Sequence, residues 1–202
     1  MRGKAKVKSL PLWLQSIKNN FTLHTMLKFA LHTYVPNRYL KWATFEELET
    51  RRLILGFKDG MPYATRWAAN EIANALSQTD MKDTIIVCIP ASCKRTHDRR
   101  FKAFSQMVCE KCGAVNGFDF IQVYGHRQKA HIDHVHALAE DTDKYIHIDE
   151  SRFKGKKVII IDDIVTTCKT ANAFVDRMIT AGADVRMVLF LGMTKYFKRY
   201  ND

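Results

Sequence analysis

The sequence predicts a parallel, doubly wound α/β sheet with helices on both faces and an N-terminal helical addition. Three observations carry this. Continuous apolar runs at Thr84–Ile89, Val158–Ile161 and Val185–Leu191 suit strands buried on both faces of a parallel sheet. Amphipathic stretches of helical length lie between and before them, at Pro62–Ser77, Phe101–Cys112 and Thr170–Thr180; strands alternating with helices build parallel sheets through crossover connections. At 202 residues, 47% apolar and 26% charged, the chain has the size and composition of one such domain plus a short extension.

Along the chain, Ser9–His32 spaces its Leu, Trp, Ile, Phe and Met residues at mixed helical intervals. That predicts one or two amphipathic helices, with Pro11 suited to a first turn. Tyr34–Asn37 contains Pro36 and breaks the pattern. Phe45–Phe57 predicts a helix ended by Lys58, Asp59 and Gly60. Pro62–Ser77 predicts another, with Trp67, Ala68, Ile72, Ala75 and Leu76 on its apolar face. The strand from Thr84 stops at Pro90, and Phe118–Tyr124 reads as a further strand. Residues 125–150 are polar, His-rich and aperiodic; so long an irregular stretch inside a compact domain usually serves function. Gly155 leads into the strand from Val158, and Gly182 closes the helix that ends at Thr180. The reading divides the chain into an N-terminal helical segment, residues 1–45, acting as hood or cap, and a core, residues 46–202.

A net charge of +11 points to an anionic partner: nucleic acid, a membrane surface or a phosphorylated small molecule. The five cysteines are an odd number without framework spacing, as expected of a reducing, cytoplasmic setting. Cys109 and Cys112 form a lone CxxC, whereas a closed zinc site needs four ligands; only His97 and the histidines between His126 and His136 are conceivable additions. No stretch reaches the roughly 18 apolar residues that span a bilayer. Met1–Lys8 is basic, but the adjoining segment, Ser9–Phe21, is too short and polar for a secretory signal.

The chemistry concentrates at Val158–Thr170. Four apolar residues lead to Asp162 and Asp163, then Ile164, Val165, Thr166, Thr167, Cys168, Lys169 and Thr170. In open α/β sheets ligands bind beyond the carboxyl ends of strands. Two adjacent carboxylates there are costly unless hydroxyl donors or cations satisfy them. A ribose diol with Mg²⁺ nearby supplies both. The Thr-rich turn adds hydroxyls and the backbone N–H groups of a helix start, an anion site. Diol and phosphate side by side describe a ribose 5-phosphate. Two plainer readings remain: a buried strand running into a helix capped by Thr167, and an Mg²⁺-binding acidic pair of another α/β family.

This segment resembles the phosphoribosyl-pyrophosphate (PRPP) signature of type I phosphoribosyltransferases. Cys168 stands where that family usually has Gly. Arg52–Gly60, the strand ending at Pro90 and the basic segment Arg99–Gln106 further resemble the competence-protein F (ComF) type of that family, although its N-terminal four-cysteine zinc ribbon is missing. The resemblance covers about Arg52 to Met193. It implies transfer of a 5-phosphoribosyl group from PRPP, with Mg²⁺, to a nitrogen nucleophile, releasing diphosphate, by a homodimer. Asp162 and Asp163 would hold the ribose hydroxyls and, directly or through water, the metal. Thr166, Thr167, Cys168, Lys169 and Thr170 would hold the 5-phosphate, with Ile164 and Val165 completing the PRPP-binding run. Ala91, Ser92, Cys93 and Lys94 fall where the family has its pyrophosphate loop, with Arg95, Arg99 and Arg100 beside it to neutralise the leaving group. Gly125–Lys129 falls at the catalytic flexible loop, with Arg127 and Lys129 closing on the diphosphate. Trp13, Phe21 or Tyr196–Tyr200 would shape the acceptor site. The alternative is a non-catalytic PRPP or nucleotide sensor, or a nucleic-acid-binding protein, on the same fold. Cys168, a thiol at a helix start in place of Gly, is expected in a turn that demands positive φ and to be reactive.

Overall fold

The computed structural model describes residues 27–124 and 146–195. The sites read at Arg127 and Lys129, the histidines from His126 to His136, and the segments holding Trp13, Phe21 and Tyr196–Tyr200 lie outside them.

Five parallel strands form the main sheet, in the order β1 (Leu27–Tyr34), β7 (Asp184–Thr194), β6 (Lys157–Val165), β2 (Thr84–Cys88), β3 (Val115–Asn116). A separate antiparallel pair joins β4 (Ile121–Val123) to β5 (Ile146–Ile148). The helices are α1 (Phe45–Lys58), α2 (Pro62–Leu76), α3 (Lys94–His97), α4 (Ala103–Cys112), α5 (Glu150–Phe153) and α6 (Lys169–Thr180). Thr44 opens α1 with a capping box, its hydroxyl accepting from Glu47 N–H while Glu47 accepts from Thr44 N–H. Pro62 opens α2 at a first-turn position where no amide donor is needed.

Alternation along the strands sorts the core into two layers. Val87, Val158, Ile160, Val188 and Phe190 face α6 through Phe174, Val175 and Met178. Ile86, Ile159, Ile161, Leu189 and Leu191 face α1, α2 and α4 through Phe57, Ala68, Ile72, Phe101 and Phe104. Helices therefore cover both faces, as the buried apolar runs predict. Phe57 anchors the second layer, 4.9 Å from Phe104 and 5.9 Å from Phe101, centroid to centroid.

Three local expectations are corrected. Leu27–His32, read as the end of a helix, belongs to β1, which pairs with β7. Its Phe29 and Leu31 pack on the layer of α2 and α4 while Ala30 faces α6, a two-residue period that mixed helical spacing conceals. Phe118–Tyr124 is not one strand: a tight turn over Phe118–Phe120 precedes β4, and β4 pairs outside the main sheet. Asn116 starts that departure, its side-chain oxygen accepting from Phe118 N–H at 3.0 Å. Gly117 permits it, since a Cβ there would lie 2.6 Å from Ile85. Finally, the helix expected from Phe101 begins at Lys94 and passes through a wider π turn, Asp98–Lys102, into α4.

Candidate functional site

The acids sit inside strand β6, which runs on to Val165 instead of turning outward at Asp162. Alternation therefore separates them. Asp162 follows Val158 and Ile160 on the side of α6, and Asp163 follows Ile159 and Ile161 on the side of α1 and α4.

Asp163 is 5% exposed and fully engaged. Its Oδ2 accepts from Arg100 Nη1 at 2.6 Å and lies 3.8 Å from Lys58 Nζ; its Oδ1 accepts from Ile164 N–H at 2.6 Å. Arg100 also donates through Nε to the carbonyl of Lys58 at 3.4 Å. Asp162 has gentler company: one carboxylate oxygen accepts from Asp163 N–H at 2.8 Å. Withdrawal from water, and then the neighbouring charge of Asp163, push its pKa upward, against the weaker pull of Arg100 and Lys58. A carboxyl so placed calls for hydroxyl donors or a cation. Among the described residues no three Asp, Glu, His or Cys side chains cluster as a metal site. Mg²⁺ commonly takes only one or two carboxylates and fills its shell with water and substrate oxygens, so Asp162 suits it.

Beyond the acids the chain turns into α6. Val165 is buried, while Thr166, Thr167, Lys169 and Thr170 are exposed. Thr166 Oγ1 lies 3.0 Å from Thr194 Oγ1, tying the turn to the end of β7. The cap position is Cys168, not Thr167, and Cys168 has φ 57° and ψ −1°. The positive φ expected from the missing Gly is thus present, adopted by a residue with a Cβ. Its side chain packs against the α6-facing core and caps nothing, so the opening N–H groups of α6 have no side-chain acceptor at the cap.

The loop after β2 is built differently. Ala91 is buried, and its N–H donates to Nδ1 of His97 at 3.4 Å. His97 stacks on Phe118 with centroids 4.9 Å apart and planes 6° from parallel. Burial lowers its pKa to about 4, so it is neutral near pH 7 and can accept. Cys93 precedes α3, and hydrogen bonding from the Thr96 side chain and then the nearby backbone lowers its thiol pKa. Ser92, Lys94, Arg95 and Arg99 are exposed; Lys94 pairs with Asp98 at 2.8 Å, and the stem of Arg99 lies on Gly60. Of the basic residues read beside this loop, Arg100 alone is drawn to the acids.

Three contributors carry little signal in the sequence. Lys58 sits in the Phe-Lys pair of the Arg52–Gly60 segment, which signals family resemblance but not a partner 105 positions away. His97 stands out only as a conceivable metal donor, and Thr194 does not stand out at all. Cys109 is buried with a thiol pushed up to about 12, and Cys112 is raised also by burial; neither joins a metal cluster among the described residues.

A family model for the phosphoribosyl transferase domain matches residues 64–200. No curated protein matches the chain. Among solved structures, an allosteric regulatory enzyme of purine biosynthesis is 19% identical, covering 63% of this chain and 25% of its own, with a TM-score of 0.44. UMP synthase from Leishmania donovani is 21% identical, covering 70% and 24%, with a TM-score of 0.40. Adenine phosphoribosyltransferase from Thermoanaerobacter pseudethanolicus is 18% identical, covering 66% and 70%, at 0.44. The chain thus spans about a quarter of the first two.

Proposed function

The chain belongs to the phosphoribosyl transferase domain family, and from that premise we propose that it transfers a 5-phosphoribosyl group from PRPP to a nitrogen nucleophile. One observation carries the proposal: an acid pair in β6 runs directly into a hydroxyl-rich turn that opens α6 through a left-handed residue.

In the proposed reaction the C1–O bond to diphosphate breaks and a C1–N bond to the acceptor forms, the acceptor's proton passing to solvent. Thr166, Thr167, Thr170 and the first N–H groups of α6 hold the 5-phosphate. The strand-end carboxylates orient the ribose. The loop carrying Ser92, Lys94, Arg95 and Arg99 is assigned the departing diphosphate, a task proposed also for Arg127 and Lys129, which lie outside the described residues. Asp162 and Asp163 would hold Mg²⁺, directly or through water, and the ion would supply charge neutralisation at the leaving group. No side-chain nucleophile is needed, because positioning and electrostatic stabilisation suffice.

We further place the chain near the competence-protein F type. Three segments of that resemblance meet in space: Lys58 from Arg52–Gly60, Arg100 from Arg99–Gln106, and Asp163 from Val158–Thr170. A cytoplasmic homodimer fits this reading. The test is release of diphosphate from Mg·PRPP in the presence of a panel of bases and amines. Turnover with one acceptor supports the proposal; PRPP binding without turnover on any points to a sensor. The net charge of +11 favours nucleic acid as a second partner, read out as salt-dependent binding of DNA or RNA.

A further inference from the structure

We infer that Thr194, the last residue of β7, is a positioning residue for the turn after β6: its buried hydroxyl donates to Thr166 and so aims the Thr166 hydroxyl at the 5-phosphate. This rests on the phosphoribosyl reading of that turn.

Thr194 lies outside the signature from Val158 to Thr170, 28 positions beyond Thr166. It is 7% exposed, and a buried hydroxyl needs a partner. That partner is Thr166 Oγ1, 3.0 Å from Thr194 Oγ1, and Thr166 itself is exposed. Each hydroxyl has one proton to donate and two lone pairs to accept with. A phosphate dianion presents acceptors only, so Thr166 must spend its proton on the ligand. The contact between the two threonines is then satisfied in one sense alone, Thr194 donating and Thr166 accepting. Donation into the Thr166 oxygen polarises its O–H bond and strengthens the bond that Thr166 makes to the anion.

Thr194 stands on a fixed base. The next residue, Lys195, donates its N–H to the carbonyl of Tyr34 at 2.8 Å, which ties the end of β7 to the end of β1. The Lys195 ammonium pairs with Glu47 at 2.5 Å, and Glu47 belongs to the capping box that opens α1. Thr166 instead begins an exposed turn whose cap residue, Cys168, offers α6 no side-chain acceptor. A β-branched side chain has few χ1 rotamers, so one anchored partner is enough to select among them.

The experiment compares Thr194→Val, Thr194→Ser, Thr194→Ala, Thr166→Val and the double variant Thr194→Val/Thr166→Val. Ribose 5-phosphate binding is read by calorimetry at about pH 8, where the phosphate is a dianion, and melting points by circular dichroism. Val keeps the branched shape and removes only the hydroxyl; Ser keeps the hydroxyl and removes the methyl. Ser and Ala repeat the comparison in a smaller side chain. Thr194→Val weakens binding by about 3- to 10-fold, the worth of one hydrogen bond. Thr194→Ser stays within about twofold of wild type although its melting point falls with the lost methyl, and Thr194→Ala loses both. Thr166→Val weakens binding by about 10- to 100-fold, as a bond to a charged group does. In that background Thr194→Val weakens it by less than about twofold more, since no hydroxyl is left to aim.

The reverse order, with Thr194→Ser weakened and Thr194→Val unchanged, overturns the inference and makes Thr194 a packing residue. Losses that multiply in the double variant overturn it too, because Thr194 would then act without Thr166. If wild type binds ribose 5-phosphate and both Thr194→Val and Thr194→Ala bind it equally well, the inference alone fails. If wild type does not bind it, the phosphoribosyl reading fails and the inference falls with it.

Discussion

The loop after β2 and the turn after β6 leave the carboxyl ends of neighbouring strands in the middle of the sheet, yet opposite means hold them. At β2 a neutral, buried His97 stacks on Phe118 and accepts from Ala91, so the loop is fixed mainly by apolar packing. At β6 the chain is fixed by a mostly buried ion pair, Asp163 with Arg100, and then forced through a left-handed Cys168. The first arrangement keeps charge out of the interior. The second concentrates charge and strain where we propose that a sugar phosphate binds, as sites that trade stability for function commonly do.

The contrast can be broken from its most consequential member downward. Arg100→Met leaves Asp163 without its closest cation and is expected to lose about 3–5 kcal/mol in urea unfolding. A loss under about 1 kcal/mol, the range of exposed pairs, would make the β6 end no more dependent on charge than the β2 end.

His97 gives the acid response of the β2 loop. Its folded pKa is about 4 against 6.5 when free, so the unfolded chain binds the proton more readily. The associated stability is complete above about pH 6.5, falls with pH, and is gone below about pH 4, a change of about 3 kcal/mol. His97→Phe should flatten that limb of a stability-against-pH curve; an unchanged curve would mean that His97 is solvated in the native state.

Asp162 behaves in the opposite sense. A carboxyl whose folded pKa is raised weakens the fold as pH climbs past the usual carboxylate range. Asp162→Asn should therefore raise stability by about 1–2 kcal/mol at pH 8 while harming ligand binding. Cys168→Gly should add about 0.5 kcal/mol, relief of the left-handed strain being partly cancelled by glycine's greater unfolded freedom. The finest distinction is kinetic. Against the expectation that Cys168 is the reactive thiol, its side chain packs on the core, so Cys93, half-buried with a lowered thiol pKa, should react with a thiol reagent first. Mass spectrometry of partly labelled protein reads the order.

What was legible in the sequence was local. The signature from Val158 to Thr170 carries strand, acids, turn and helix start within 13 residues, and the positive φ at Cys168 is implied by a residue standing where Gly is usual. Helices α1, α2 and α6 are signalled by amphipathic period and end residues. The illegible features all depend on distant partners. Lys58 is an ordinary helix-end lysine until α1 packs beside Arg100. The surroundings of Asp163 differ from those of Asp162 because β6 continues through both, which depends on its pairing with β7 beyond the acids. Leu27–His32 becomes a strand only because β7 offers an edge.

That last pairing has a consequence during synthesis. Leu27 sits opposite Met187, 160 positions later in the chain. At ribosomal speeds of about 5–20 residues per second, β1 is polymerised about 8–30 s before its partner. Throughout that interval Phe29 and Leu31 lack the strand that aligns them, as a short apolar ribbon open to other nascent chains. Among the described residues β1 is thus the earliest strand translated and β7, its partner, the latest, and a message truncated before β7 would give a polypeptide with β1 still unsatisfied.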